Sequence, residues 1–203
     1  MVIAWLNFIS LNISGFLFGY LAILSTMPVT LEEKQGGEAW AYCRNLRYTS
    51  FGFATIMIIN TILWLWLPIP ELAWPLNPNP MFGIIAGTVI GVPCFVILGI
   101  AMRDAGAEMS YPLKETTMHG GIYKKVRHPG TLGEMPLYVV LAMFVNSMFL
   151  FIWMTIYVVL FTAINIHFEE MDLVKRFGES YAEYRKTTPA LLAGLKWRKK
   201  NGN

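Results

Sequence analysis

The sequence predicts an all-α integral membrane protein of about five transmembrane helices, ending in a helical hairpin and a cytoplasmic amphipathic helix. Three observations carry this. First, 55% of the 203 residues are hydrophobic and only 14% are charged, whereas soluble domains carry about 25% charged residues. Second, the charges are segregated: none precedes Glu32, and none falls between Tyr48 and Pro70, Leu72 and Met102, or Met135 and His167. Uncharged apolar runs of roughly 20 residues are what a bilayer core requires, and a span must satisfy its own backbone hydrogen bonds, so the runs are helices. Third, a five-span threading puts all 16 Lys and Arg on one side.

Span one is expected over about Val2–Met27, stopped by Pro28. It lacks a basic leading region and a small-residue cleavage site, so it reads as a retained helix rather than a signal peptide. Span two covers about Thr49–Leu67 and closes in the breaker Pro68-Ile69-Pro70, and span three covers about Met81–Met102. The Pro/Asn-rich connector between them holds Trp74 and a single charge, Glu71, which suits a short external loop with an aromatic interface anchor. Residues 1–102 thus form three N-terminal spans, and 103–203 the remainder of a single membrane domain.

The last apolar run, Met135–Ile166, has 32 residues, too long for one crossing of about 30 Å and short for two. Charge decides it. A single crossing would separate the five basic residues of 103–133 from the eight after His167. A hairpin turning near Asn146-Ser147 puts both groups beside Lys34, Arg44 and Arg47 of the first loop. The positive-inside rule makes that compartment the cytoplasm, with the N-terminus outside and the C-terminus inside. After His167, the spacing of Glu170, Leu173, Val174, Phe177, Tyr181 and Tyr184 predicts a surface helix, with Gly178 as a break. The basic tail Lys196–Lys200 suits an anionic leaflet or simply a solvated end. Cys43 and Cys94 fall in a loop and in a span, so neither a disulfide nor a metal motif is expected.

Chemistry is expected at the cytoplasmic face. The loop between spans three and four contains Gly120-Gly121, Tyr123 and Arg127-His128-Pro129-Gly130. Glycine permits close backbone approach, Tyr offers a flat amphipathic surface, and Arg clamps a carboxylate in two places. The second signal is Glu169-Glu170 at the inner end of span five, where carboxylates beside hydrocarbon are costly unless paired or functional. The hairpin returns both its ends to one face, so Arg127-His128 and Asn165, His167 and Glu169 become neighbours. A charged small molecule can then meet an apolar substrate arriving from the lipid.

Gly121-Ile-Tyr-Lys-Lys-Val-Arg-His-Pro129, then a hairpin, Glu169-Glu170 and Phe177-Gly-Glu-Ser-Tyr-Ala-Glu-Tyr184, together resemble the isoprenylcysteine carboxyl methyltransferase superfamily, which includes membrane phospholipid methyltransferases. The resemblance covers about Thr117–Pro189. It implies S-adenosylmethionine as cofactor, bound by Gly121, Tyr123, Arg127, His128, Pro129, Glu169 and Glu170. It also implies catalysis by Glu169, with Asn165 and Arg127 beside it. Three positions depart from the pattern: Thr131 in place of a Tyr, Glu115 in place of a His with His119 out of register, and Asn165 in place of an Arg that meets a prenylcysteine carboxylate. The expected function is therefore methyl transfer to a lipid-like or small apolar acceptor. A non-catalytic subunit that keeps the fold beside a membrane protein partner is the alternative. No nucleic-acid partner is expected.

Overall fold

The computed structural model describes residues 1–115 and 120–191; His119 and the basic tail Lys196–Lys200 lie outside the described residues. Among the described residues seven α-helices follow one another: α1 (Val2–Ser25), α2 (Pro28–Gln35), α3 (Ala39–Leu63), α4 (Pro80–Ala105), α5 (Pro129–Phe144), α6 (Met148–Phe177) and α7 (Glu179–Thr187). Four of them, α1, α3, α4 and α6, are long and apolar enough to cross a membrane. The 16-residue α5 rises only about 24 Å at 1.5 Å per residue. It nonetheless runs the whole way from the polar end of the bundle to the hairpin turn. Of the five expected crossings, four fall on helices long and apolar enough to span, and the fourth in order, α5, is shorter.

Helix pairing uses devices suited to a lipid solvent, in which apolar burial alone gives little drive for association. Asn7 Nδ2 on α1 donates to the Asn60 carbonyl of α3 at 3.0 Å, and Asn60 Nδ2 returns a bond to Ser10 Oγ at 2.9 Å. The Tyr157 hydroxyl of α6 donates to the Gly15 carbonyl of α1 at 2.8 Å. Leu11, Phe18, Met57, Leu150, Met154 and Phe161 fill the centre between these helices. Outward-facing side chains are also apolar, among them Phe16, Val89, Phe95, Val159 and Leu160.

α4 and α5 pack antiparallel through glycine. Gly83, Gly87 and Gly91 recur one turn apart on α4 and face Met143, Phe144 and Val140, a small-residue stripe that lets backbones approach. Gly133 reciprocates from α5: a Cβ there would stand 2.6 Å from Leu98 N and 2.8 Å from Cys94 O.

The hairpin turns where the sequence places it. Asn146 takes the left-handed conformation (φ 54°), which Asn tolerates better than most residues, and Ser147 Oγ caps α6 by accepting from Leu150 N at 3.2 Å. The Pro/Asn connector closes over this turn. Met148 N donates to the Trp74 carbonyl at 2.8 Å, Leu76 N to the Asn146 carbonyl at 3.0 Å, and Asn77 N to Asn146 Oδ1 at 3.1 Å. The connector and the turn therefore share one end of the bundle. The described Lys and Arg residues occupy the other, where Lys114–Glu32, Lys175–Glu33 and Arg176–Glu108 cross-link loop, α2 and α6.

Two elements differ from expectation. α3 begins at Ala39 rather than Thr49, so Arg44 and Arg47 are helical and Arg47 is turned into the bundle. The short α2 follows Pro28 at its first position, where proline's fixed φ suits a helix start. Met27 offers it no side-chain cap. Asp172 of α6 supplies one from across the fold, accepting from Val29 N at 3.2 Å and Thr30 N at 2.7 Å.

Candidate functional site

The polar end is organised around one buried ion cluster. α6 runs on to Phe177 and carries Glu169 and Glu170 to the first residues of α5. Glu170 is 6% exposed and receives Arg127 Nε and Nη2, each at 2.7 Å, His128 Nε2 at 3.1 Å and Arg185 Nε at 3.1 Å. Arg127 also donates Nη1 to the carbonyls of Arg185 and Thr188. Its backbone N–H donates to Pro189 O, and that of His128 to Ala190 O. Glu170 thereby fastens the start of α5 to α7 and the chain beyond it.

His128 is 5% exposed and sits just before α5, bridging Glu170 through Nε2 and Glu169 Oε2 through Nδ1 at 3.1 Å. Two carboxylates only accept, so the ring donates from both nitrogens as an imidazolium. Burial alone would lower its pKa. The charge and hydrogen bond of Glu169, then those of Glu170, outweigh burial and push it up to about 9.

The loop before α5 is fixed differently. Asp104 accepts from Ile122 N at 2.8 Å. Gly121 stands at φ +58°, where a Cβ would collide with the Asp104 carboxylate. Gly121 is thus required by a close approach within the fold. Tyr123 follows on a single 3-10 turn, its carbonyl accepting from the Tyr184 hydroxyl.

Two chambers adjoin this cluster. The first, about 480 Å³, is lined by Tyr123, Phe177, Tyr181 and Tyr184 and by the charged Arg127, Glu169, Asp172 and Arg176. The second, about 370 Å³, has an apolar wall of Phe18, Phe51, Leu98, Met102, Met135 and Phe161, with His128, Glu134 and Asn165 set into it. Thr26, Arg47, Met109, Tyr123, Arg127 and Glu169 belong to both and form the shared wall. Each chamber is lined by a residue with a buried polar atom lacking a hydrogen-bond partner among the described residues: the Tyr181 hydroxyl beside the first and Asn165 Oδ1 beside the second. Buried polar atoms left bare cost about 1–3 kcal/mol each.

The expected residues divide. Tyr123, Arg127 and Glu169 stand on the shared wall, and Asn165, His128 and Pro129 line the second chamber. Gly121 and Glu170 line neither; they hold the frame. Sequence reasoning missed Arg47, Glu134 and Asp172 as site residues. A signal existed for the first two, because each immediately borders an uncharged run, and an ionisable group at that border is a functional candidate. Asp172 gave no signal, since its partners are amides 142 and 143 residues away.

The chain is 26% identical over 159 residues to the methanethiol S-methyltransferase of Pseudomonas deceptionensis, an alignment covering 72% of this chain and 59% of that protein. It is 28% identical over 158 residues to methanethiol S-methyltransferase 2 of Bradyrhizobium diazoefficiens, covering 68% of this chain and 56% of that protein. The chain therefore spans less than three-fifths of the length of these curated relatives. No family model and no solved structure matches it. The two relatives agree in kind with the resemblance carried by Gly121–Pro129 and Glu169-Glu170: the chain is similar, at modest identity, to proteins named as methyltransferases.

Proposed function

We propose that the chain is a membrane-embedded methyltransferase moving a methyl group from S-adenosylmethionine to a small apolar acceptor, a thiol in the first instance. The observation that carries this is the pair of chambers with a shared wall. The first gathers the aromatic rings of Tyr123, Phe177, Tyr181 and Tyr184 beside charged groups, the second sets His128, Glu134 and Asn165 beside a wall of Phe18, Phe51 and Phe161, and a single carboxylate, Glu169, faces both. Methyl transfer from a sulfonium is an in-line displacement, so a site must chiefly bring donor and acceptor together and exclude water. The first chamber, within the size range of small-molecule sites, offers aromatic side chains in Tyr123, Tyr181 and Tyr184 and Glu169 to offset positive charge. When bound, the cofactor supplies the electrophilic methyl. The chain's residues position it and keep the acceptor dry. The relatives' printed name supports a thiol, and Asn165, neutral where prenylcysteine enzymes carry Arg, supports an acceptor without a carboxylate.

The basic residues gathered at the polar end support, under the positive-inside rule, a cytoplasmic setting for that end and the site. An apolar acceptor partitioning from the bilayer would find the second chamber's wall of Phe18, Phe51, Leu98 and Phe161. Isothermal titration of detergent-purified protein with S-adenosylhomocysteine tests the core of this reading. Saturable binding by the wild type is expected, weakened at least about tenfold in Glu169→Ala, as for loss of a charge-assisted contact. Folded wild-type protein that takes up neither S-adenosylhomocysteine nor S-adenosylmethionine would refute it.

A further inference from the structure

We infer that Glu134, on α5, is the base that takes the proton from the acceptor's thiol in the second chamber. The inference rests on the methyltransferase reading above and names a residue that neither motif nor resemblance singles out.

The argument is one of elimination among the carboxylates lining the two chambers. Glu108 is ion-paired to Arg176 at 2.7 Å. Asp172 is occupied by the amides of Val29 and Thr30. Glu169 is held by the imidazolium of His128. A carboxylate already neutralised by a cation or committed to capping a helix is a poor proton acceptor. Glu134 alone among them has neither ion pair nor hydrogen bond to any described residue, and it lines the chamber with the apolar wall. A carboxylate kept bare at a hydrocarbon border is costly unless it meets a substrate. Arg47 faces the same chamber, with the Ser25 hydroxyl, at 2.6 Å, as its hydrogen-bond acceptor. Its charge bears on the Glu134 carboxylate, with which it makes no ion pair, and on the thiolate left once the proton has moved.

The step balances. The acceptor's S–H bond breaks and an O–H bond forms on Glu134. The thiolate sulfur then forms a bond to the methyl carbon of a sulfonium donor. The donor's S–CH3 bond breaks, its electron pair staying on the donor sulfur, which becomes a neutral thioether. Glu134 later releases its proton to solvent.

The test compares two acceptors that differ in whether a base is needed. Butanethiol is largely protonated at neutral pH, and 4-nitrothiophenol is already ionised there. With full-length protein in detergent and S-adenosylmethionine as donor, Glu134→Gln is expected to lower kcat/KM for butanethiol by about 100-fold or more, the usual contribution of general base catalysis. The same variant retains turnover of 4-nitrothiophenol to within about threefold, and Glu134→Asp restores part of the butanethiol rate. Isothermal titration of Glu134→Gln with S-adenosylhomocysteine reports the fold independently of turnover, and wild-type affinity is expected. Equal losses on both thiols, or none on either, would overturn the assignment. So would a Glu134→Gln variant that no longer binds S-adenosylhomocysteine, which would make Glu134 structural. Wild-type protein that binds S-adenosylhomocysteine but methylates neither thiol would overturn the base while leaving the cofactor site standing. Wild-type protein that binds no S-adenosyl ligand would overturn both.

Discussion

Replacing His128 with Gln tests whether the buried imidazolium organises the polar end. The ring's pKa rises from 6.5 to about 9 on folding. A group whose folded pKa is raised contributes stability that is fully present below its unfolded pKa and is lost as pH climbs through the folded one. The window therefore runs from about pH 6.5 to about pH 9. At 1.36 kcal/mol per pH unit the contribution is on the order of 3 kcal/mol, and because His128 is 5% exposed solvent screens it little. For a chain of this length a change of 1 kcal/mol moves Tm by about 2–4 °C. Between about pH 6 and about pH 10 the wild type should lose roughly 6–12 °C of melting temperature beyond what His128→Gln loses, and the two curves should converge at the alkaline end. Light-scattering or intrinsic-fluorescence melts in one detergent at constant ionic strength measure this. Parallel decline of wild type and variant would refute the imidazolium bridge.

Glu170→Ala leaves Arg127, His128 and Arg185 without their common carboxylate; breaking a buried pair costs about 3–5 kcal/mol, so a large drop in melting temperature is expected, and Glu170→Gln should recover part of it. Gly133→Ala pushes a Cβ against the backbone of Leu98 and Cys94, and overpacking of this kind costs about 1–3 kcal/mol; thermal melts read it, and an unchanged Tm would mean that α4 and α5 separate freely. Asp172→Ala uncaps α2 at a cost of about 1 kcal/mol; hydrogen exchange should quicken at Val29 and Thr30 and stay unchanged along α1.

The span pattern was legible because lipid imposes a crude and strong rule: a charge inside a span is expensive, so uncharged runs reveal spans directly. The hairpin was legible for the same reason, through the sidedness of Lys and Arg. Boundaries at the polar end were not. Arg44 and Arg47 look like loop residues, yet α3 extends to Ala39, because a helix continues into water wherever tertiary contacts hold it. α2 was invisible because its cap, Asp172, comes from α6. The glycine stripe Gly83–Gly87–Gly91 went unread, although its four-residue spacing carries a signal for the close α4–α5 pairing. Of the motif residues, Gly121 proved necessary for a reason local to the fold. Its neighbour Tyr123 reaches both chambers. A motif read from sequence mixes residues that touch a ligand with residues that shape the loop, and spacing alone does not separate them.

The adjacent pair Glu169-Glu170 makes the same division within two residues. Successive positions on a helix differ by about 100°, so one carboxylate can be buried while the other faces a cavity. Glu170 gathers three cations and is spent on structure. Glu169 shares His128 with it, and His128 satisfies both only as an imidazolium. This gives the cavity-facing carboxylate a fixed partner on its far side, held in turn by an ion cluster that ties α5, α6 and α7 together. A carboxylate on a free side chain would swing between rotamers at the mouth of either chamber. Here its orientation is inherited from the fold, so it is set before any ligand arrives. Preorganised charge of this kind costs no reorganisation when charge shifts in a transition state. The conspicuous cluster is therefore a frame, and under the proposed function the chemistry would fall to the groups it leaves facing the chambers: Glu169 on the shared wall, and Glu134 and Asn165 in the second chamber.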